Sequence, residues 1–137
     1  MRPNSMSQWL RGVLAVVAGF VVWFAVATVG NFAIRWLAPG YTEVEKAMDF
    51  SLAMMFARLI LGAVASLPAG AACIAIARGS WVAIGALTFL LLALFVPVHL
   101  NLWATFPMWY HIVFLGSLVL LVVLGARLGG SRTASAV

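Results

Sequence analysis

Residues 12–34 read GVLAVVAGFVVWFAVATVGNFAI, an uncharged apolar run that begins after Arg11 and ends before Arg35. A helix needs about 20 predominantly apolar residues to cross the hydrocarbon core of a bilayer. This run is long enough, so we predict a first transmembrane helix over about residues 10–36. The small residues at 25–27 resemble a signal-peptidase site, but the apolar run continues well past them, which favours a retained helix.

Three further apolar runs predict transmembrane helices over about residues 51–77, 81–98 and 108–127. The chain is 66% hydrophobic and only 8% charged, whereas about a quarter of the residues of a soluble domain are charged. Lipid must therefore be the solvent of most of the surface. We expect an all-α, antiparallel, up-down four-helix transmembrane bundle that forms one domain over residues 1–137, with a flexible tail from residue 129.

The Arg residues predict the orientation of the bundle. If the helices alternate in direction, one side carries Arg2, Arg11, Arg78, Arg127 and Arg132. The positive-inside bias places that side in the cytoplasm, so we expect a multi-pass cell-membrane protein with both termini cytoplasmic. The basic residues are dispersed between apolar runs and do not cluster on one face, which argues against nucleic acid as a partner and favours membrane lipids.

The second predicted helix carries the small residues that close helix packing in lipid requires. One stripe contains Gly62, Ser66 and Gly70, and an adjacent stripe contains Ala65, Ala69, Cys73 and Ala77. We therefore expect this helix at the centre of the bundle, and its small-residue face is also the candidate contact for a membrane-protein partner or a second copy. Pro68 is interpreted as a packing kink, with a transport hinge as the less favoured alternative. Gly125 and Gly129 have GxxxG spacing, but they lie at the predicted end of the last helix, so this match is weak.

Three segments between the predicted helices contain residues that indicate their local structure. Arg78-Gly79-Ser80 is so short that it makes the second and third helices antiparallel neighbours, with Gly79 left-handed and Ser80 as the N-cap. Thr42-Glu43-Val44-Glu45 has capping-box spacing, which predicts a short helix between the first two spans. In the last loop, Trp103, Trp109 and Tyr110 are interpreted as an aromatic belt at the outer interface.

Depth counting at a rise of 1.5 Å per residue brings one ionisable residue of each helix to the outer boundary of the hydrocarbon. These residues, together with two nearby amides, form the predicted ligand-binding set: Arg35, Arg58, His99, His111, Asn31 and Asn101. Arg would bind a carboxylate or phosphate, and His would exchange a hydrogen bond or a proton. In the favoured structural alternative, the Arg side chains only reach headgroups or pair with loop acids, and the His residues are ordinary interfacial residues.

A haem between His99 and His111 is a further alternative, since both lie at similar depth on different helices. Two His residues are a weak metal signal when neither a Cys nor an acid lies at a fixed spacing from them. We therefore expect no cofactor and no metal site. We also predict no catalytic residues, because the sequence shows no nucleophile–base pair.

Three functions remain open. The favoured one is a non-catalytic membrane protein, such as an accessory subunit of a membrane complex. In size and pattern the four helices resemble the small multidrug-resistance transporters, but that family depends on a membrane-embedded Glu in its first helix, and residues 12–34 contain no acid. A small carrier for an anionic or lipid-like ligand, using Arg58 and the outer pocket, is therefore the alternative. A lipid- or quinone-active enzyme with His99 or His111 as acid–base group is the least favoured.

Overall fold

The computed structural model describes residues 5–135, and this part of the chain is helical, without strands. Its elements are α1 (Ser5–Leu37), α2 (Tyr41–Ala47), α3 (Leu52–Ile76), α4 (Trp81–Asn101) and α5 (Met108–Ser135). Four of them are long and apolar enough to cross a membrane, over Ser7–Leu37, Leu52–Ile76, Trp81–Asn101 and Met108–Arg132. The all-α prediction is confirmed, and so is the presence of four helices that could span a membrane.

Two helices extend beyond their predicted C-terminal ends. α4 continues through Pro97 to Asn101 instead of ending near residue 98. Within lipid a backbone group has few partners outside its own helix, which favours continuation past a proline. α5 continues to Ser135, where we expected a flexible tail from residue 129. The backbone of Gly129 lies against Ala71 of α3, so this part of α5 is still packed on a neighbour.

The short connections are formed partly as predicted. Gly79 has the expected left-handed conformation, with φ 86°, and Arg78 before it is also left-handed, with φ 52°. Ser80 stands at the N-cap of α4 without making a side-chain cap hydrogen bond. The short helix α2 is present, but it follows left-handed Gly40 and has no side-chain cap, so the predicted capping box does not form. The next helix, α3, does have a side-chain cap, since the Oγ of Ser51 accepts a hydrogen bond from the Met54 amide.

α3 lies at the centre of the packing, as its small residues predicted. It packs most extensively against α5 and α1. A Cβ atom on Gly70 would overlap the Val122 carbonyl of α5, and one on Gly125 would overlap the Leu67 carbonyl of α3. The two backbones therefore touch directly, which is the contact that glycine permits in lipid. The small-residue face of α3 is covered by helices of the same chain.

Candidate ligand-binding cleft

A cleft of about 370 Å³ is lined by residues of all five helices. Its apolar part has an aromatic wall formed by Trp23, Phe24, Phe95 and Phe114. Its polar part lies towards the ends of the helices and is formed by Thr28, Asn31, Arg35, Glu45, Arg58 and Tyr110. The cleft is thus amphipathic along its length. Three of the predicted site residues line it, namely Asn31, Arg35 and Arg58.

Arg58 of α3 is half-buried beside this cleft. Its Nη1 donates a hydrogen bond to the Tyr41 hydroxyl at 3.2 Å, and its guanidinium carbon lies 4.9 Å from the centre of the Phe50 ring. Its Nε is buried and has no hydrogen-bond partner among the described residues. The prediction that Arg58 points into the bundle fits this environment. The cation contacts aromatic and hydroxyl groups, and within residues 5–135 no carboxylate forms an ion pair with it.

Arg35 differs from Arg58 because it is already paired. Its Nε and Nη2 donate to the two carboxylate oxygens of Glu45 at 2.9 and 3.0 Å, the one ion pair within the described residues. The hydrogen bonds from Arg35 hold the pKa of the Glu45 carboxyl below its usual value, against the opposing effect of partial burial. Arg35 therefore pairs with an acid from the connection between the first two membrane-spanning helices. This is the arrangement that the structural alternative describes for the Arg residues.

His99 and His111 form a pair of their own. Their Nδ1 atoms lie 2.7 Å apart, and the two side chains are 6% and 1% exposed. The Trp103 ring stacks on His111 at 4.9 Å, and the Phe114 ring lies 4.6 Å from His99. Both His residues are thus enclosed by aromatic rings and are not the ordinary interfacial residues of the structural alternative.

The predicted single pocket is divided into two sites. Neither His99 nor His111 lines the cleft, and Asn101 is exposed at the end of α4. Phe114 and Tyr110, which do line the cleft, also contact His99 through their rings. The predicted site residues therefore lie in two neighbouring environments, with these two rings contacting both.

Tyr110 and Tyr41 are site residues that sequence reasoning missed. We assigned Tyr110 to an interfacial belt, but it is only 4% exposed and packs against Phe106. Its four-residue spacing from Phe114 within α5 is the signal for a shared aromatic face of the helix. Tyr41 follows a Pro-Gly break, and no pattern in the sequence pointed to its contact with Arg58.

The His pair does not have the geometry of haem ligation between the two rings. Metal–nitrogen bonds are about 2 Å long, so two nitrogens on opposite sides of an iron lie about 4 Å apart. The observed separation of 2.7 Å is that of a hydrogen bond. In such a pair one Nδ1 carries the proton and the other accepts it. The arrangement is suited to holding a proton and not to holding an iron between the rings.

No protein-family model, no curated protein and no solved structure matches this chain. Four helices apolar enough to cross a membrane suggest a membrane protein. Any more specific function must be inferred from the chain's own residues.

Proposed function

We propose that this chain is a multi-pass membrane protein that binds an anionic, lipid-like ligand in the cleft. The acyl chain would lie along the aromatic wall, and the anionic headgroup would lie beside Arg58. The observation that carries this proposal is the state of Arg58: a half-buried cation with an unpartnered Nε, at the polar part of a cleft of about 370 Å³.

Charge and geometry both favour an anion at this position. A guanidinium presents a planar fork of donors that matches a phosphate or carboxylate. A charge held near hydrocarbon is costly unless it is paired or hydrogen-bonded, and Arg58 has only part of its donors satisfied. Arg35 already has a carboxylate partner, so Arg58 is the cation that an incoming anion would neutralise.

The proposal includes the orientation predicted from the Arg residues. Helices that alternate in direction would place both termini in the cytoplasm of a cell-membrane protein and the polar part of the cleft in the outer leaflet. Contacts between α1 and α3 support alternation, since Gly19 lies beside Cys73 whereas Gly30, further along α1, lies beside Leu61.

The residues that line the cleft also help to choose between an accessory subunit, a carrier and an enzyme. The two His residues that would serve an enzyme as acid–base groups lie outside the cleft. Binding without chemistry is therefore the function that this site supports, and the role is that of a carrier or of a lipid-holding subunit of a membrane complex.

The test compares two single-chain lipids that differ only in headgroup. Oleoyl-lysophosphatidylglycerol is a phosphodiester anion, and oleoyl-lysophosphatidylcholine is zwitterionic. We expect the full-length protein, in a mild non-ionic detergent at pH 8.0, to bind the anion more tightly. Arg58→Gln should weaken binding of the anion by about tenfold or more, since hydrogen bonds to charged groups contribute about 1.5–3 kcal/mol. Dissociation constants from isothermal titration calorimetry measure this.

Two further variants locate the binding. Arg127→Gln removes an exposed Arg far along α5 and should leave the affinity unchanged. Thr28→Trp fills the exposed side of the cleft without changing charge, and it should weaken binding of both lipids. Glycerophosphoglycerol, the headgroup without an acyl chain, should bind far more weakly than the lipid. Equal affinities in the wild type, Arg58→Gln and Thr28→Trp would reject the proposed site.

A further inference from the structure

The buried His99–His111 pair has a defined capacity for protons. Two neutral imidazoles carry two protons on four nitrogens, and the contact of 2.7 Å between the Nδ1 atoms takes up one of them. The acceptor ring must then carry its own proton on Nε2, and the donor ring is left with a bare Nε2. If both Nδ1 atoms were protonated, two N–H groups would face each other at hydrogen-bond distance and the contact would break.

The surroundings of the pair indicate which ring is the donor. Nε2 of His111 is buried and has no hydrogen-bond partner among the described residues. A buried N–H without an acceptor is rarer and more costly than a buried acceptor without a donor. The favoured arrangement therefore has His111 donating through Nδ1–H to Nδ1 of His99. The bare Nε2 of His111 is then the one nitrogen of the pair that can receive a further proton. Because this atom is buried without an acceptor, that proton is costly unless the surrounding charge changes.

The charged and titratable groups around the pair disfavour that proton while the cleft is empty. Burial of the two His side chains is the first cost of that charge, and Arg58 of α3 adds a nearby positive charge, since it lines the cleft together with Tyr110, whose ring lies 6.0 Å from the His99 ring. Arg35 of α1 is neutralised by Glu45. Tyr110 of α5 and Tyr41 of α2 present phenol hydroxyls on this side, and the Tyr41 hydroxyl accepts a hydrogen bond from Arg58. His99 is the one titratable residue of α4. Glu45 is bonded to Arg35 and not to Arg58, so an added proton would meet the positive charge of Arg58.

An anion beside Arg58 would remove this repulsion. The cleft and the pair are close, because the rings of Phe114 and Tyr110 line the cleft and lie 4.6 and 6.0 Å from the His99 ring. One layer of aromatic rings therefore separates the cleft from the pair, and in a medium of low dielectric constant charges interact across such a layer more strongly than they would in water. The charge of a headgroup at Arg58 would therefore be felt at the His pair.

We propose that the His99–His111 pair is a proton-binding site coupled to the cleft, and that it takes up one proton when an anionic lipid headgroup binds beside Arg58. This inference rests on the proposed function of the cleft. Coupling between two binding sites is reciprocal, so protonation of the pair increases the affinity for the anion by the same factor as the anion increases the affinity for the proton. Couplings of this kind are typically about 5- to 150-fold.

The test uses oleoyl-lysophosphatidylglycerol, because its phosphodiester keeps one negative charge across the whole range. We expect at least a fivefold tighter dissociation constant at pH 5.5 than at pH 8.0. Oleoyl-lysophosphatidylcholine should show no such change. Titration calorimetry of the wild-type protein at pH 6.5, in two buffers with different ionisation enthalpies, should show net proton uptake with the anionic lipid and none with the zwitterionic one.

The matched variant is His111→Asn, which retains a side-chain donor towards His99 but cannot take up a proton. Its affinity for the anionic lipid should stay near the wild-type value at pH 8.0 and should not increase at pH 5.5. If the wild type binds the anion with the same affinity at both pH values and without proton uptake, this inference is wrong and the cleft proposal stands. If neither lipid binds at any pH, the cleft proposal itself fails. The buffer comparison needs no variant, so it decides the matter even if His111→Asn does not fold.

Discussion

Two regions of α3 differ in the size of the residues that pack there. Around Gly70 small residues let α3 contact α5 directly, whereas Arg58, twelve residues earlier, is surrounded by large side chains. At Gly70 the carbonyl of Val122 occupies the space that a side chain would fill. At Arg58 the neighbours are aromatic rings and a hydroxyl, and a cleft remains beside the guanidinium. We call the first region the glycine seam, formed by Gly70, Gly125 and Gly129, and the second the Arg58 end.

The difference shows how one small bundle combines stability with an open site. Lipid provides no hydrophobic drive between helices, so close backbone packing carries much of their association. The glycine seam supplies this packing at one part of α3. Larger side chains separate the helices at the Arg58 end, and the volume between them is lined by polar groups. Substitutions in the seam should therefore alter folding, and substitutions at the Arg58 end should alter binding.

The largest effect on stability is expected from Gly125→Ala. Its new methyl group would overlap the Leu67 carbonyl of α3, so the helices must separate. Overpacking of this kind costs about 1–3 kcal/mol of unfolding free energy, occasionally more. Gly116→Ala is the matched control on the same helix, because a Cβ there meets nothing within 4 Å. It should be neutral or stabilising by up to about 1 kcal/mol, since alanine favours helix more than glycine does.

Reversible unfolding in mixed micelles of detergent and dodecyl sulfate, followed by near-UV circular dichroism, compares the two variants. Equal unfolding free energies for Gly125→Ala and Gly116→Ala would mean that the glycine seam does not hold α5 against α3.

Sequence reasoning identified the small residues of α3 and the inward face of Arg58, because both follow from helical periodicity and need no knowledge of the partner helix. It undervalued Gly125 and Gly129, because the last helix was predicted to end near residue 127 and in fact continues to Ser135. A boundary error of a few residues thus moved a contact surface into a predicted tail.

The division of the polar pocket could not be predicted in the same way. Depth counting predicted similar depths for His99 and His111, and their Nδ1 atoms do meet. Depth along a helix does not fix the direction in which a side chain points. Tyr110 and Phe114 came to lie between the His pair and the cleft through packing across three helices, which periodicity within one helix does not describe.

A smaller effect on stability is expected from a hydrogen bond that lies between the two regions. Trp23 Nε1 donates a hydrogen bond to Ser66 Oγ at 3.0 Å, and both side chains are buried. Ser66→Ala would leave the indole N–H unpaired and should lower the unfolding free energy by about 1 kcal/mol, in the range of hydrogen bonds between membrane helices. A double-mutant cycle with Trp23→Phe measures the coupling.

Because Ser66 does not line the cleft, Ser66→Ala should leave the affinity for the anionic lipid within about twofold. A variant that lost affinity but kept its stability would contradict the separation of the two regions.

The smallest effect on stability should come from Arg35 and Glu45, since their ion pair is solvent-accessible and screened. The hydrogen bonds from Arg35 lower the pKa of Glu45 from its ordinary 4.5. The pair therefore contributes its stabilisation in full above that ordinary value and loses it as the pH falls through the lowered pKa of the folded state.

Arg35→Gln should return the pKa of Glu45 towards its ordinary value, which a carbon-13 NMR titration of the Glu45 carboxyl between pH 7 and pH 2 would measure. The same variant separates the two Arg residues of the cleft. Arg35 already has a carboxylate partner and Arg58 does not, so Arg35→Gln should weaken binding of the anionic lipid much less than Arg58→Gln does. If the two variants weakened binding equally, the headgroup would have to be bound by both cations, and the free charge of Arg58 would no longer distinguish its end of the cleft.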